Sequence, residues 1–577
     1  MVSSKYLKLI TLLLLSLAII LSSVMIFMPK KGSQPIVKQY ETKIFDKNSV
    51  MSISIDMDET KWNEMIENAL KEEYYPCNIT INGTTFKNVG IRAKGNTSLT
   101  MVANSDSDRY SFKIKFDEYV DGQTCFGLNK LVLNNTYSDK TYMKEYLSYE
   151  IMDYVGVKTP LYAFANINVN GKEWGLYLGL EAMEESFAER IYGSDYGMLY
   201  KPETVQGGGK IGEKPKGGAE DKNMPNPNDK ETSQNTNGEK SQNMPPNMGE
   251  ALNGEAPDMG QMPNGAEPPN MENMPDQGDT TNKQKPNMEN MPDMKDGKNG
   301  QGGPMGQNGP GGQGGPKDQG GGSDLVYTDD KISSYSSIFD SAVFNSTNSD
   351  YKRVITALKA LNSGEDIEKY VNVDEVLRYF AANTVIVNLD SYISNLKHNY
   401  YLYEKDSQIS ILPWDFNLAF GGFQGGSSTS AVNFPIDTPT TGVDLSERPL
   451  IGKLLENSEY KDKYHVYIEK IAEYINSGKA EQRIDEINNL IKDYVKNDAT
   501  AFYTYEEYEK SIPALKEFIS LRGKSILGQL NGTIPSTQEG QKDKTNLINA
   551  DHITLESLGV QGGGKGGKDL QMQKNNK

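Results

Sequence analysis

Cysteine and histidine are scarce, with 2 Cys and 3 His in 577 residues. His398, His465 and His552 are scattered and Cys77 and Cys125 lie far apart, which excludes the closely spaced ligand sets of zinc sites. A Cys77–Cys125 disulfide and a pair of buried free thiols are equally open. A basic excess is also lacking. The 60 Lys+Arg face 78 Asp+Glu, a net charge of -18, which argues against a binder of nucleic acid or of anionic membranes. A phosphate ligand would need a local basic pocket. Aromatic residues are missing from one long stretch. Residues 204–322 contain none of the 33 Tyr, 17 Phe or 3 Trp, yet hold 25 of the 55 Gly, 15 of the 26 Pro and 11 of the 23 Met. Such a segment cannot bury enough apolar surface to offset chain entropy, so it reads as a disordered insert. The octapeptide at 269–276 returns at 286–293, a sign of growth by duplication. A length prior of roughly four domains therefore fails.

What is present falls into parts around that insert. Residues 1–31 carry an apolar run over 9–28, flanked by Lys5, Lys8, Lys30 and Lys31. A run of about 20 apolar residues is long enough to span a bilayer. No small-x-small cleavage site follows, so it reads as an uncleaved anchor with an exported body. Residues 39–203 form a strand-rich block. Strands are expected at 51–55 and 110–116, with a helix capped by Asp58 between them and another helix over 139–154. Asn82-Gly83 and Asn170-Gly171 mark two hairpins. Residues 323–532 are helix-rich, with helices expected at 351–361, 373–389, 450–474, 480–495 and 505–530. A hairpin at 398–403 and 409–414 interrupts them. Residues 533–577 read as a second disordered segment. The expected fold class is α+β, with a strand-rich lobe, a helix-rich lobe and a ligand cleft between them.

The most informative window is 388–422. Asp390 follows a helix, Asn399 opens the hairpin, and Asp415 leaves its second strand. A hairpin brings its ends together, so the three side chains can converge. Two carboxylates and an amide oxygen are hard donors suited to Mg²⁺ or Mn²⁺ carrying phosphates. Loop caps and a turn residue are the plainer alternative. The first block offers basic partners. Arg92 and Lys94 run into a Gly95-containing turn, and Lys113 and Lys115 share one strand face. Any of the three lysines is a candidate for the phosphate, or simply part of a solvated face. Glu145, Glu150 and Glu181 are candidate partners for them.

At these strings the chain resembles the CotH-type spore coat kinases. The matching strings are Arg92-Ala93-Lys94-Gly95-Asn96-Thr97-Ser98, Lys113-Ile114-Lys115-Phe116, Leu131-Val132-Leu133-Asn134-Asn135 with Asp139, and Gly175-Leu176-Tyr177 with Glu181. Further along come Asp390-Ser391-Tyr392, His398-Asn399-Tyr400-Tyr401-Leu402-Tyr403, Pro413-Trp414-Asp415-Phe416-Asn417 with Gly421, and Arg522, Ser525 and Leu530. The resemblance implies an atypical kinase-like bilobal fold, interrupted here by the insert. It implies transfer of the ATP γ-phosphate to Ser or Thr of secreted, cell-surface or spore coat proteins. By resemblance Asp390 is the catalytic Asp, Asp415 the metal-binding Asp, and Asn399 a weaker metal or positioning residue, preferred over Asn395. Arg92, Lys94, Lys113, Lys115 and Glu181 are the expected nucleotide-binding set, with ATP and Mg²⁺ or Mn²⁺ as cofactors. Expected partners are a Ser/Thr protein substrate and the membrane, through the N-terminal helix, but no nucleic acid. The competing reading is a non-catalytic surface or coat assembly protein on the same fold. A glycosidase using Asp390 and Asp415 ranks last, because it leaves the lysines without a role.

Overall fold

The computed structural model describes residues 38–203 and 321–561. The expected anchor at 1–31, nearly all of the insert and residues 562–577 lie outside the described residues. Among those described, no helix is long and apolar enough to cross a membrane.

The first block closes into a barrel. Its strands are β1 (Met51–Asp56), β2 (Tyr75–Ile81), β3 (Thr84–Lys94), β4 (Ser111–Lys115), β5 (Lys130–Asn134), β6 (Tyr162–Val169) and β7 (Lys172–Glu181), in the order β1-β2-β3-β4-β5-β7-β6. Both Asn-Gly hairpins are present. Asn82 and Gly83, and likewise Asn170 and Gly171, all have positive φ, as a two-residue turn matching strand twist requires. Closure comes from a parallel pairing of β1 with β6, in which Met51 faces Ala165.

Side chains on a strand alternate between faces, and the alternation sorts the barrel cleanly. Ile91, Ala93, Phe112, Ile114, Leu131 and Leu133 fill the interior. Arg92, Lys94, Lys113, Lys115, Lys130 and Asn134 occupy the alternate positions and so share the outer face of β3, β4 and β5. On β5 to β7 the outer face turns apolar. Val132, Phe164, Leu178 and Leu180 there belong to a second core, which they share with the helical half.

That second core includes helix α1 (Lys144–Tyr154), whose partners include α3 (Val373–Val385). The other long helices are α2 (Asn348–Ser363), α4 (Pro449–Glu456), α5 (Ser458–Asn476), α6 (Lys479–Lys496) and α7 (Tyr505–Leu530). A three-stranded sheet, β10-β9-β8, lines the same side, with β8 (Met198–Tyr200), β9 (Tyr400–Lys405) and β10 (Gln408–Pro413).

Three expectations need correction. The helix expected at 139–154 begins only at Lys144, because the Asp139 carboxylate takes the Thr141 and Lys144 N–H groups and caps it from outside. The helix expected over 450–474 is two helices. Asn457 sits between them in extended backbone and caps the second. Most of the tail expected to be disordered is packed: Ile534, Ala550, Ile553, Leu555 and Leu558 are buried. Cys77 and Cys125 are buried free thiols, each pushed up to about 12 by burial.

Candidate active site

The outer barrel face meets the loops of the helical half at Lys94. The residue ends β3, and Gly95 follows with φ +134, where a Cβ would lie 2.9 Å from Ser98 Oγ. The chain therefore turns sharply into a short helix, Thr97–Ala103. Lys94 Nζ donates to Asn134 Oδ1 at 2.9 Å, and Asn134 Nδ2 donates to Glu145 Oε2 at 2.9 Å. Asn134 thus bridges a strand lysine to a helix carboxylate. Burial, with the Asp415 charge adding to it, pushes the Glu145 carboxyl up to about 8. Burial lowers the Lys94 amine, against the pull of Asp415 and Glu145.

Asp415 follows β10 with φ +63. Phe416 next to it is fully buried and meets the Tyr149 ring of α1 edge-on, centroids 5.2 Å apart. This packing anchors the Asp415 loop to the helix that carries Glu145. Burial raises the Asp415 carboxyl, Lys94 opposes the rise, and Asp390 adds to it. Trp414 lies with its ring 5.8 Å from Lys94 Nζ.

Asp390 lies in the loop between α3 and β9. Val387 leaves the helix with φ +50, and an Asn383–Asn388–Ser391 network fixes the turn. His398 Nε2 contacts Asp390 Oδ1 at 2.6 Å. Asn399 Nδ2 donates to Asp390 Oδ2 at 3.0 Å and to the Asp390 carbonyl at 2.9 Å. Each carboxylate oxygen is held by one neighbour and keeps lone pairs for another partner. Asn395, by contrast, accepts from Gln424. Buried Arg522 ties the end of α3 to the 432–434 segment, donating to the carbonyls of Thr384, Val432 and Phe434.

Of the residues expected from sequence, Lys94, Asp390, Asn399 and Asp415 gather in this cleft. Glu145, a candidate lysine partner, joins them through Asn134, and the others are engaged elsewhere. Arg92 pairs with Glu72 at 2.6 Å and Lys115 with Glu118 at 2.7 Å. Lys113 pairs with Glu184, which Lys130 also holds, and the two lysines overcome burial to bring its carboxyl down to about 2. Glu181 is fully buried against Arg190 and Tyr40, and Glu150 pairs with Arg483. Neither Glu181 nor Glu150 has a lysine partner among these contacts. Sequence reasoning missed His398 and Asn134. The only hints were His immediately before Asn399 and Asn at the end of an apolar string.

The donor set suits a hard cation. Asp390, Asp415 and Asn399 offer oxygens, and the Asp415 charge is opposed both by burial and by Asp390, a deficit that a cation relieves. Among the described residues no group of three or more His, Cys, Asp or Glu is arranged to hold a metal ion. The remaining ligands would have to be phosphate or water oxygens.

The fold and site define a mixed α/β protein with a strand-rich half, a helical half and a lysine–carboxylate cleft. The family model of the CotH kinase protein matches residues 91–254 and 310–526, more than half of the chain, and the protein belongs to that family. It is also similar to the inner spore coat protein H of Bacillus subtilis (strain 168), with 23% identity over 169 residues. That match covers 29% of this chain and 43% of the relative, less than half the relative's length.

Proposed function

We propose that the protein is an atypical kinase that transfers the ATP γ-phosphate to Ser or Thr of an exported, cell-surface or spore coat protein, using Mg²⁺ or Mn²⁺. The observation that carries this reading is the convergence of Lys94, Glu145, Asp415 and Asp390. A lysine bridged to a helix carboxylate, beside a loop Asp that follows a β-hairpin, is the kit of a phosphoryl-transfer site, and here it joins a strand-rich barrel to a helical half. Asp415 and Asn399 would hold the metal, which neutralises charge on the phosphates when bound. Lys94 pairs with phosphate oxygens. Asn134 and Glu145 keep its amine aimed into the cleft. Asp390 orients the acceptor hydroxyl and takes its proton, while His398 and Asn399 fix the carboxylate. The name of the relative and the apolar run at 9–28 support a site of action outside the cytoplasm, at a membrane or a spore coat.

Calorimetric titration with ATP tests the nucleotide half of this reading. Mg²⁺-dependent binding is expected. Lys94→Met should weaken it by roughly tenfold or more, the loss of a charge-assisted contact, and Lys115→Met should leave it nearly unchanged. Binding that is absent, or indifferent to Mg²⁺ and to Lys94, would favour an assembly role.

A further inference from the structure

The loop that follows Asp415 is gripped from outside by a segment more than a hundred residues later in the chain. Asn433 exchanges hydrogen bonds with Ile548, its Nδ2 donating to the carbonyl at 2.8 Å and its Oδ1 accepting from the amide at 3.1 Å. Ala550 N donates to Thr429 Oγ1 at 2.9 Å, and Ser428 Oγ donates to the Ile553 carbonyl. Gln561 N donates to the Gly422 carbonyl at 2.8 Å, where Phe423 and Gln561 form a parallel bridge. Between these points Leu555 and Leu558 enter the second core.

The same segment touches the start of α1. Lys140 N donates to the Leu558 carbonyl at 3.2 Å. Gly559, with φ +86, lies so close that a Cβ there would be 2.4 Å from the Ser138 carbonyl. Lys144, the first residue of α1 and the neighbour of Glu145, is fully buried. Its amine donates to the carbonyls of Ser138 and Gly559, and lies 3.0 Å from where a Cβ on Gly422 would stand. A buried ammonium satisfied by carbonyls from separate segments is costly to strip of any one of them. Burial lowers its amine to about 8.

We propose that residues 548–561 are a positioning strap and Lys144 a positioning residue, which together hold the Asp415 loop and the Glu145 helix in mutual register. Neither touches the cleft, and both act through those two elements. The catalytic consequence rests on the phosphotransfer reading, whereas the mechanical one does not.

The test uses the full chain with Gly559→Ala, Lys144→Met and Gln561→Pro, which removes the amide that bonds Gly422 and fixes the backbone φ there. Gly478→Ala is the control. Gly478 also has positive φ (+79) but nothing lies within 4 Å of its would-be Cβ. Hydrogen exchange is followed over 419–433 and 139–149, with barrel strands β1 and β6 as internal reference. The three strap variants should exchange about tenfold faster in the two windows and unchanged in the barrel, and the control should leave the windows and the barrel alike unchanged. Phosphate transfer should fall about tenfold in kcat, with KM for the acceptor nearly constant, the pattern of lost alignment rather than lost binding. Unchanged exchange, exchange that rises uniformly, or local loosening with kcat intact would overturn the proposal. If the wild-type chain transfers no phosphate, the kinase reading fails, and the exchange pattern still decides whether the strap positions these elements.

Discussion

Replacing Asp498 by Ala should be among the most damaging single changes in the ordered part of the chain. Asp498 and Arg109 form an ion pair at 2.9 Å with both side chains fully buried. Asp498 Oδ1 also accepts from Thr500 N, and Oδ2 accepts from Leu176 N at 3.0 Å and from Tyr142 Oη at 3.3 Å. Arg109 stacks over Tyr177, 4.5 Å from its centroid, and donates to the carbonyls of Asn135 and Leu176. The pair thus fastens the barrel to the α6–α7 connection. Removing one member of a buried pair strands the other charge and costs about 3–5 kcal/mol. The orphaned Leu176 amide adds about 1 kcal/mol. The sum is about 5 kcal/mol, and for some 400 ordered residues it corresponds to a Tm drop of roughly 6 °C. Denaturant titration of wild type, Asp498→Ala, Arg109→Met and the double variant measures it. The double variant should cost clearly less than the two single changes added together, because neither charge is then left alone. Asn135 follows Asn134, so Asp498→Ala should also disturb the Lys94–Asn134–Glu145 bridge. A loss below about 1 kcal/mol, or strict additivity, would refute the reasoning.

Other outcomes follow from the same geometry. Lys113 and Lys130 hold the Glu184 carboxyl at about 2, below its ordinary value of 4.5. The unfolded chain therefore binds more protons between those values, and the stabilisation is present above 4.5 and lost as pH falls towards 2. Glu184→Gln should flatten that acid limb by up to about 3 kcal/mol, read by urea titration from pH 5 to 2.5, and an unchanged limb would contradict the assignment. Cys77 and Cys125, buried and pushed up to about 12, should resist thiol reagents in the native state and react on unfolding, so native labelling at pH 8 would count against the packing around them. His398→Ala should lower kcat about tenfold with the ATP KM unchanged, since it frees Asp390 Oδ1 without touching the phosphate site, and a loss confined to KM would contradict this role.

Local signals carried the elements that local physics decides. Asn82-Gly83 and Asn170-Gly171 set two hairpins, and the helix over 505–530 matches its observed bounds. Barrel closure was not legible, because the pairing of β1 with β6 joins segments about a hundred residues apart and leaves no local trace. Strand β5 was missed as an element. Leu131-Val132-Leu133 faces a core on both sides, so it lacks the alternation that marks a half-buried strand. The strap reads as disordered in sequence because its polar composition hides a few anchors, Ile553, Leu555 and Leu558, whose partners lie far away in sequence. At the site, hairpin geometry is enough to bring Asn399 near Asp415, and a nine-residue loop returns Asp390 to Asn399. That Lys113 and Lys115 pair with carboxylates while Lys94 bonds Asn134 is a tertiary fact, which local sequence does not carry.

Phosphate transfer is the most direct test of the central claim. The purified chain is incubated with γ-labelled ATP, Mg²⁺ or Mn²⁺ and a Ser-rich acceptor, beside Asp390→Ala and Asp415→Ala. The kinase reading predicts metal-dependent labelling of acceptor Ser or Thr that both substitutions abolish. Labelling that survives both substitutions, or none from the wild-type chain across acceptors and metals, would contradict it.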